Sequence, residues 1–547
     1  MADFTEIRNE LRDFYGTKLD GLHNENIEKC LNVLDNGIPK DIPAIIQKKM
    51  QYKLLADNVH PVLFRNTVLF GEVCANKAIE CSDTIGNYTL NINKELYHKL
   101  AADVFDARNE AQSYPLYMFC GEFGDEKYHF AFNNEKILKQ GFKGIYERVM
   151  ARLNESNLPD DERLWLEAVK EATLAVKNIA EAFTALANKK AEGSADSNER
   201  EHYLTVAELS SRIPWEKPET FVEALCTVQF IQSVVPFLEG GGLYSVGRLD
   251  LMLIDFYRHD IDKGILTPDE AEKLIGEFLL LHDMRIPHEQ ENQRDSLVNA
   301  CYTLGGIDRK GNYVFNELTR AFLKLDNEIE IIYPKIKCRY DKGSPKEYLD
   351  LINTELKNGK STLLYQNDSA IIPSFINSGV DSEDARDYSI LGCWEPVIPG
   401  ATNEHCSYFL TLKIFELSVY GGIKTSNFEI LPLEEAKSFD EVLAITLKNI
   451  HGVMESRCHV AVTARPHWYE VDPHPLLSSV VDDCIERGKD ITNGGTKYSF
   501  DEIICAGLPN VIDSLLAIKE LCFDTKKIHA YAISRCGARK LGKHGYA

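Results

Sequence analysis

Apolar residues between positions 162 and 191 recur at Trp165, Val169, Ala172, Val176, Ile179, Phe183 and Leu186, in alternating steps of four and three. This spacing draws one stripe down an α-helix, so the segment is predicted to be a packing helix. The small polar run Ala191-Glu-Gly-Ser-Ala-Asp-Ser-Asn198 ends the pattern and reads as an exposed loop. The amino-terminal third reads as mainly helical. Further along, Thr267-Pro-Asp-Glu270, Ser344-Pro-Lys-Glu347 and Ser438-Phe-Asp-Glu441 have the form of capping boxes, which mark helix starts by satisfying free backbone amides. Between such helices lie short, largely apolar runs, Ile329–Tyr333, Ser361–Tyr365 and Ser389–Leu391, which read as buried strands. The alternation predicts an α/β fold with a sheet covered by helices, without internal repeats or low-complexity segments.

Composition narrows the classes. The chain has 547 residues, 44% hydrophobic and 10% aromatic, enough to fill a large core and too apolar for a disordered chain. Its 61 Lys and Arg against 84 Asp and Glu leave a net charge of −23, which argues against broad binding to nucleic acid or anionic membranes. No signal peptide is recognisable in MADFTEIRNELRDFYGTKLD, and no membrane span is expected. The fourteen cysteines are dispersed singly, without a C-x-x-C pair or a zinc-like spacing, so a cytoplasmic, reducing location and no metal site are expected.

Chemistry is most concentrated in Glu383-Asp-Ala-Arg-Asp-Tyr-Ser-Ile-Leu-Gly-Cys-Trp-Glu-Pro396. A short helix leads into an apolar strand that ends at Gly392, after which Cys393, Trp394, Glu395 and Pro396 form a constrained loop. A carboxylate two residues from a projecting thiol suits proton transfer to or from a substrate held at the sulfur. The same pattern also fits a core cysteine beside a structural glutamate. Glycine and polar residues are dense in Glu239-Gly-Gly-Gly-Leu-Tyr-Ser-Val-Gly-Arg-Leu-Asp250, Cys301-Tyr-Thr-Leu-Gly-Gly306, Tyr365-Gln-Asn-Asp368 and Gly488-Lys-Asp-Ile-Thr-Asn-Gly-Gly495. Gly240 to Gly242 lack the following G-K-[ST] of a phosphate loop, and no G-x-G-x-x-G occurs there, so nucleotide binding is not expected.

Taken in order, these segments resemble the glycyl radical enzymes, the group containing pyruvate formate-lyase. His129 with Asn133 to Leu138 and Gly141 to Ile145 is similar to the family's "GH…L..GL.GI" element, with Tyr128 in place of its glycine. Gly247-Arg-Leu-Asp250 matches "GR.D", and Leu304-Gly-Gly306 with Asn316-Glu-Leu318 matches "LGG…NEL". Gly392-Cys-Trp-Glu-Pro396 is similar to the thiyl-radical loop, and Gly488-Lys-Asp490, Gly494-Gly495, Tyr498 and Gly507–Lys519 follow in the family's order. The resemblance implies a ten-stranded barrel of two antiparallel five-stranded half-barrels surrounded by helices, occupying residues 1–527. It implies that Cys393 lies on a finger loop inside and is oxidised to a thiyl by a stable glycyl radical, which a radical-SAM activating enzyme installs. No bound cofactor is implied.

Pyruvate formate-lyase itself uses adjacent cysteines, whereas Gly392 precedes Cys393 here. The single cysteine with Glu395 resembles the eliminase and decarboxylase branches, with Cys393 and Glu395 as catalytic residues. The leading expectation is dehydration or related C–X cleavage of a small polar substrate. A formate C-acetyltransferase-like or aryl-acetate decarboxylase-like member, and a catalytically silent binding protein that keeps the barrel, are the alternatives. Glu239, His129, Asn299, Cys301 and Trp394 are the expected pocket-lining residues. Complete family members carry an R-V-x-G-Y radical motif beyond the position matched by Lys519; Gly545-Tyr546-Ala547 echoes it, but Gly542 stands where arginine is needed. Residues 528–547 carry the basic cluster Arg535, Arg539, Lys540 and Lys543, anomalous in an acidic chain. A reading-frame slip near residue 528 would convert this tail into an acidic, apolar helix, so the expectation is a large domain inactive without a radical-bearing segment or a separate small glycyl-radical protein. A homodimer is also expected.

Overall fold

In the computed structural model the described residues are 3–73, 82–102, 113–114, 117–120, 130–240, 244–285, 301–360, 362–392, 394–434 and 436–528. The stripe read at 162–191 becomes one helix, Asp160–Gly193, which buries Trp165, Val169, Ala172, Val176, Ile179 and Phe183. Asp160, Asp161 and Glu162 occupy its first turn, where carboxylates offset the positive end of the helix dipole. The loop after it is shorter than its composition suggests. The helix runs on to Gly193, and the next one, Ser197–Arg212, starts as soon as the Asp196 side chain accepts from the amides of Asn198 and Glu199.

The predicted capping boxes divide. Thr267 and Glu270 form a reciprocal box at the start of Pro268–Asp283. Ser438 accepts from Glu441 N at 3.2 Å, while the Glu441 carboxylate accepts from Lys437 N instead, at 2.6 Å. Ser344 does not cap: its Oγ accepts from Asp341 N at 3.0 Å, Pro345 stands at the cap position, and Glu347 forms a two-point pair with Arg320 at 2.8 and 3.0 Å.

The strands, numbered along the chain, are β1 (Tyr117–Cys120), β2 (Phe130–Ala131), β3 (Tyr244–Arg248), β4 (Cys301–Gly305), β5 (Lys335–Tyr340), β6 (Leu363–Asn367), β7 (Ser389–Leu391), β8 (Glu395–Val397), β9 (Thr402–Leu410), β10 (Ile423–Lys424), β11 (Glu429–Ile430) and β12 (Tyr498–Ala506). Strands β2 to β6 form a parallel sheet in sequential order. Parallel neighbours need long crossovers, supplied here by helices such as Pro268–Asp283, Glu317–Glu328 and Lys346–Lys357. The strand expected at Ser389–Leu391 is present as β7, and the one at Ser361–Tyr365 begins two residues later, as β6. The run Ile329–Tyr333 is not a strand. Asp283 accepts from the amides of Ile332 and Tyr333 at 2.8 and 3.0 Å, which takes the donors a ladder would need. The strand lies just beyond, in β5, where alternating Lys335, Lys337 and Arg339 disguise its apolar half.

The described residues therefore form one five-stranded parallel sheet, a three-stranded sheet in the order β1-β9-β12 and two two-stranded ribbons, β7-β8 and β10-β11. Of the two five-stranded halves implied by the resemblance, one five-stranded sheet is present among the described residues. By contact density the described residues of Met1–Lys94, Lys127–Glu404 and Tyr469–Phe500 make one compact unit, and those of Glu95–Glu126, His405–Trp468 and the chain from Asp501 a second. The first contains the parallel sheet; the second has its own core of Phe415, Leu433, Val442, Val511, Leu515 and Ile518. One helix among the described residues, Phe221–Glu239, is long and apolar enough to cross a membrane. All of its residues except Val222 are buried in the fold, so it is a core helix.

Candidate active site

Alternation in a strand sends every second side chain to one face of a sheet. On one face of the parallel sheet those positions are unusually polar: Ser245 on β3, Cys301 and Thr303 on β4, Lys337 and Arg339 on β5, and Gln366 on β6. Their polar atoms converge on the β7–β8 hairpin, which pairs Ser389 with Val397, Ile390 with Pro396 and Leu391 with Glu395. The hydroxyls of Ser245 and Thr303 lie 2.9 and 2.8 Å from Ser389 Oγ. Ser245 Oγ and Cys301 Sγ donate to Ile390 O at 3.0 and 3.3 Å, and Ile390 N donates to Thr303 Oγ1 at 3.0 Å.

Further along the hairpin, the buried Lys337 ammonium donates to Gly392 O at 2.9 Å, and Gln366 Nε2 donates to Trp394 O at 2.7 Å. Two carbonyls flanking position 393 are thus gripped by neighbouring strands. Gly392 has φ +46°, a left-handed conformation that glycine adopts without the strain of a Cβ. Trp394 is 50% exposed, whereas Glu395 is 2% exposed. The Glu395 carboxylate accepts from Trp394 N at 2.8 Å, which turns it back toward the loop.

The foot of the hairpin is fixed as firmly. Arg339 donates to both oxygens of Asp368, at 3.0 and 3.1 Å, and to the carbonyls of Tyr388 and Arg386, at 2.7 and 2.9 Å. Its guanidinium also lies 3.8 Å from the centre of the Tyr388 ring. The motif residues recognised in the sequence serve as ties in this frame. Asp250 accepts from Gly305 N and Thr319 Oγ1, both at 2.8 Å, and burial raises its carboxyl above the ordinary range. Arg248 donates to Gly305 O at 2.9 Å. A Cβ on Gly306, at φ +73°, would stand 2.7 Å from Arg339 Nε, so the second glycine of the LGG motif makes room for that arginine.

Of the residues singled out in the sequence, Cys301, Trp394 and Glu395 come together at the hairpin. Cys393, His129 and Asn299 lie outside the described residues. Glu239 ends the helix Phe221–Glu239, is buried, and accepts from Tyr52 Oη and from the amides of Leu476 and Leu477 at 2.7 and 3.0 Å. Its described contacts therefore fix the start of the short helix Pro475–Val480. Ser245, Thr303, Lys337, Arg339 and Gln366 were not singled out as individual site residues. The signal for them was polarity at every second position of a buried strand.

A parallel sheet that holds a cysteine-bearing hairpin through polar side chains defines the class. The chain belongs to the pyruvate formate lyase-like family, whose model matches residues 97–536. It is 29% identical over 418 residues to the probable dehydratase YbiW of Escherichia coli, covering 72% of this chain and 52% of that protein. It is 28% identical over 411 residues to trans-4-hydroxy-L-proline dehydratase of Clostridioides difficile, with 72% and 52% covered. The chain thus spans about half the length of the curated relatives it matches. Among solved structures, the 1,2-propanediol-dehydrating protein of Roseburia inulinivorans has a TM-score of 0.82 at 20% identity, covering all of this chain and 74% of that one. Hydroxyproline dehydratase of C. difficile, solved with trans-4-hydroxy-L-proline bound, has a TM-score of 0.81 at 21% identity, with 98% and 74% covered. At these identities the two structures establish the likeness of fold.

Proposed function

We propose that this chain carries the substrate-cleaving part of a glycyl radical lyase that removes water, or a comparable leaving group, from a small polar substrate. The observation that supports this best is the hairpin: the backbone on both sides of Cys393 is held by Lys337 and Gln366, and Glu395 is buried and turned toward the loop. Such anchoring suits a sulfur that must meet one C–H bond repeatedly in the same geometry. The relatives' glycyl radical supplies the one-electron oxidation of the cysteine. Cys393 then takes a hydrogen atom, forming S–H as the substrate C–H breaks. Glu395 donates a proton to the departing hydroxyl as its C–O bond breaks and recovers one from the hydroxyl on the radical carbon, whose C–O becomes a carbonyl, and Cys393 returns the hydrogen atom to the product radical. Trp394, Cys301, Glu239, His129 and Asn299 line the substrate pocket in this reading. Residues 1–527 form the barrel, in which a second five-stranded half completes ten strands, and a radical-SAM activating enzyme is the obligatory partner. A homodimer belongs to the same reading.

The experiment is anaerobic turnover of the chain with an activating enzyme and a glycyl-radical-bearing partner polypeptide. The substrates are those named for relatives: 1,2-propanediol, glycerol, trans-4-hydroxy-L-proline, (2S)-3-sulfopropanediol and isethionate. Turnover of one of them is expected, abolished by Cys393→Ser and lowered about 10²- to 10⁴-fold by Glu395→Gln, the usual weight of a general acid. Turnover that survives Cys393→Ser would remove the thiyl mechanism, and saturable substrate binding without any turnover would replace the lyase reading with that of a binding protein.

A further inference from the structure

In an antiparallel ladder, opposite residues alternate between pairs that exchange backbone hydrogen bonds and pairs that do not. Pro396 stands opposite Ile390 in the β7–β8 hairpin and has no N–H to offer. This pair is therefore of the second kind, and the N–H and C=O of Ile390 turn away from β8. Side chains of the parallel sheet receive both. Ile390 N donates to Thr303 Oγ1 on β4 at 3.0 Å, and Ile390 O accepts from Ser245 Oγ on β3 at 3.0 Å and from Cys301 Sγ at 3.3 Å. Ser389 Oγ stands between the two hydroxyls, 2.8 Å from Thr303 Oγ1 and 2.9 Å from Ser245 Oγ. Ser245, Thr303 and Ser389 are each 0% exposed, so a bond lost here is not regained from bulk water.

A hydroxyl carries one proton, and this fixes every donor in the set. A carbonyl cannot donate, so the Ser245 proton lies on Ile390 O. Thr303 Oγ1 already accepts from Ile390 N, and its own proton has Ser389 Oγ as acceptor. The Ser389 proton is then left with Ser245 Oγ. The result is a one-way chain of four hydrogen bonds, from Ile390 N–H through Thr303, Ser389 and Ser245 to Ile390 C=O, which begins and ends on the same residue. Bonds in such a chain polarise one another, and turning any hydroxyl round would leave two oxygens facing each other with no proton between them. Its value is orientation rather than stability, because replacing both partners of a buried hydrogen bond by apolar groups of the same shape can be nearly neutral. We propose that Thr303 and Ser389 are positioning residues for the lyase reaction: with Ser245 they fix the rotation of β7 about its own axis, and hence the direction in which the strand delivers the loop that follows it. Lys337 and Gln366 hold the carbonyls on either side of position 393, and the hydroxyl chain sets the root from which that loop springs. The effect on rate rests on the lyase reading, whereas the chain itself can be tested without turnover.

The test combines hydrogen exchange of the full chain with the anaerobic turnover assay. Ser389→Ala leaves the Ile390 N–H its acceptor but cuts the chain behind it, so exchange at Ile390 and Leu391 is expected to speed up at least tenfold while β4 to β6 keep their protection. In turnover, Ser389→Ala and Thr303→Val are each expected to lower kcat about 10- to 100-fold with KM within about twofold, since a displacement of about 1 Å costs roughly 100-fold. Thr303→Ser, which keeps the hydroxyl, is expected to stay within about threefold of the parent. The double variant Ser389→Ala/Thr303→Val should lose little more than the worse single one, because both cut the same chain. Unchanged exchange at Ile390 in Ser389→Ala would overturn the chain whatever the turnover. A kcat loss in Thr303→Ser equal to that in Thr303→Val, a change confined to KM, or multiplying losses in the double variant would overturn the positioning role. Absence of turnover in the parent would fail the lyase reading alone, and the exchange comparison would then decide the chain by itself.

Discussion

At the scale of single residues, the site is organised by side chains that hold backbone. Lys337 reaches Gly392 O, Gln366 reaches Trp394 O, and Cys301 and Ser245 share Ile390 O. Lys337→Met keeps most of the volume and removes the charged donor, so Gly392 O loses its grip while the sheet persists. A displacement of about 1 Å at a reacting atom can cost roughly 100-fold in rate. In the turnover assay this variant is therefore expected to lower kcat by about one to two orders of magnitude with KM nearly unchanged; a change confined to KM would place Lys337 on the substrate instead. The strand and the loop that carries Glu395 were legible in the sequence because a Gly-Cys-x-Glu-Pro run after an apolar strand is locally recognisable. Lys337 was not, because a lone lysine in a short strand is indistinguishable from a solvated edge residue until the strand's neighbours are known. Glu239 was expected at the pocket from its place in the family's series, and its described partners are Tyr52 and the amides of Leu476 and Leu477.

At the scale of elements, long periodic helices were legible and short strands only in part. The stripe of Asp160–Gly193 is a sum over many positions, so no single contact overrides it. The Ile329–Tyr333 run failed because one distant carboxylate, Asp283, captured two of its amides. The helix Pro268–Asp283, which carries Asp283, holds a second buried acid whose cost is measurable. Glu277 is 3% exposed, and burial raises its carboxyl from 4.5 to about 7, against the lowering effects of Thr67 and Lys273. The folded state therefore favours the protonated form. Its contribution to stability is fully present below about pH 4.5 and is lost as pH rises through about 7, a difference on the order of 3 kcal/mol at most. Glu277→Gln keeps the shape of the neutral acid without ionising. Urea denaturation should show a gain of about 1–3 kcal/mol over the parent at pH 8 and almost none at pH 4.5. An equal gain at both values would mean that the substitution acts through packing rather than through ionisation.

At the scale of the whole molecule, two hydrophobic cores with no residue in common organise different stretches of chain. One surrounds the foot of the hairpin with Phe375, Ala385, Tyr388, Ile390 and Ile398; the other joins Phe415, Val442, Val511, Leu515 and Ile518. Sequence order hides this division, because the second unit is assembled from three separated stretches, and apolar periodicity reports which face of a helix is buried but not which core receives it. Most of the family's motifs fall in the first unit, where GRLD, LGG and the hairpin tie to one another through Asp250, Arg248 and Arg339. The second unit carried only Gly507–Lys519 and the helix start at Ser438 as signals, so its core was not legible from motifs. Separate cores predict separate losses. Leu515→Ala removes buried volume from the second core and is expected to cost about 2–4 kcal/mol. Hydrogen exchange should then speed up in Thr411–Val419, Phe439–Ala464 and Leu508–Ile518, while the amides of β3 to β6 keep their protection, as expected where regions open as distinct cooperative units. If β3 to β6 lose protection to the same extent, the two cores unfold as one, and the hairpin's rigidity depends on both.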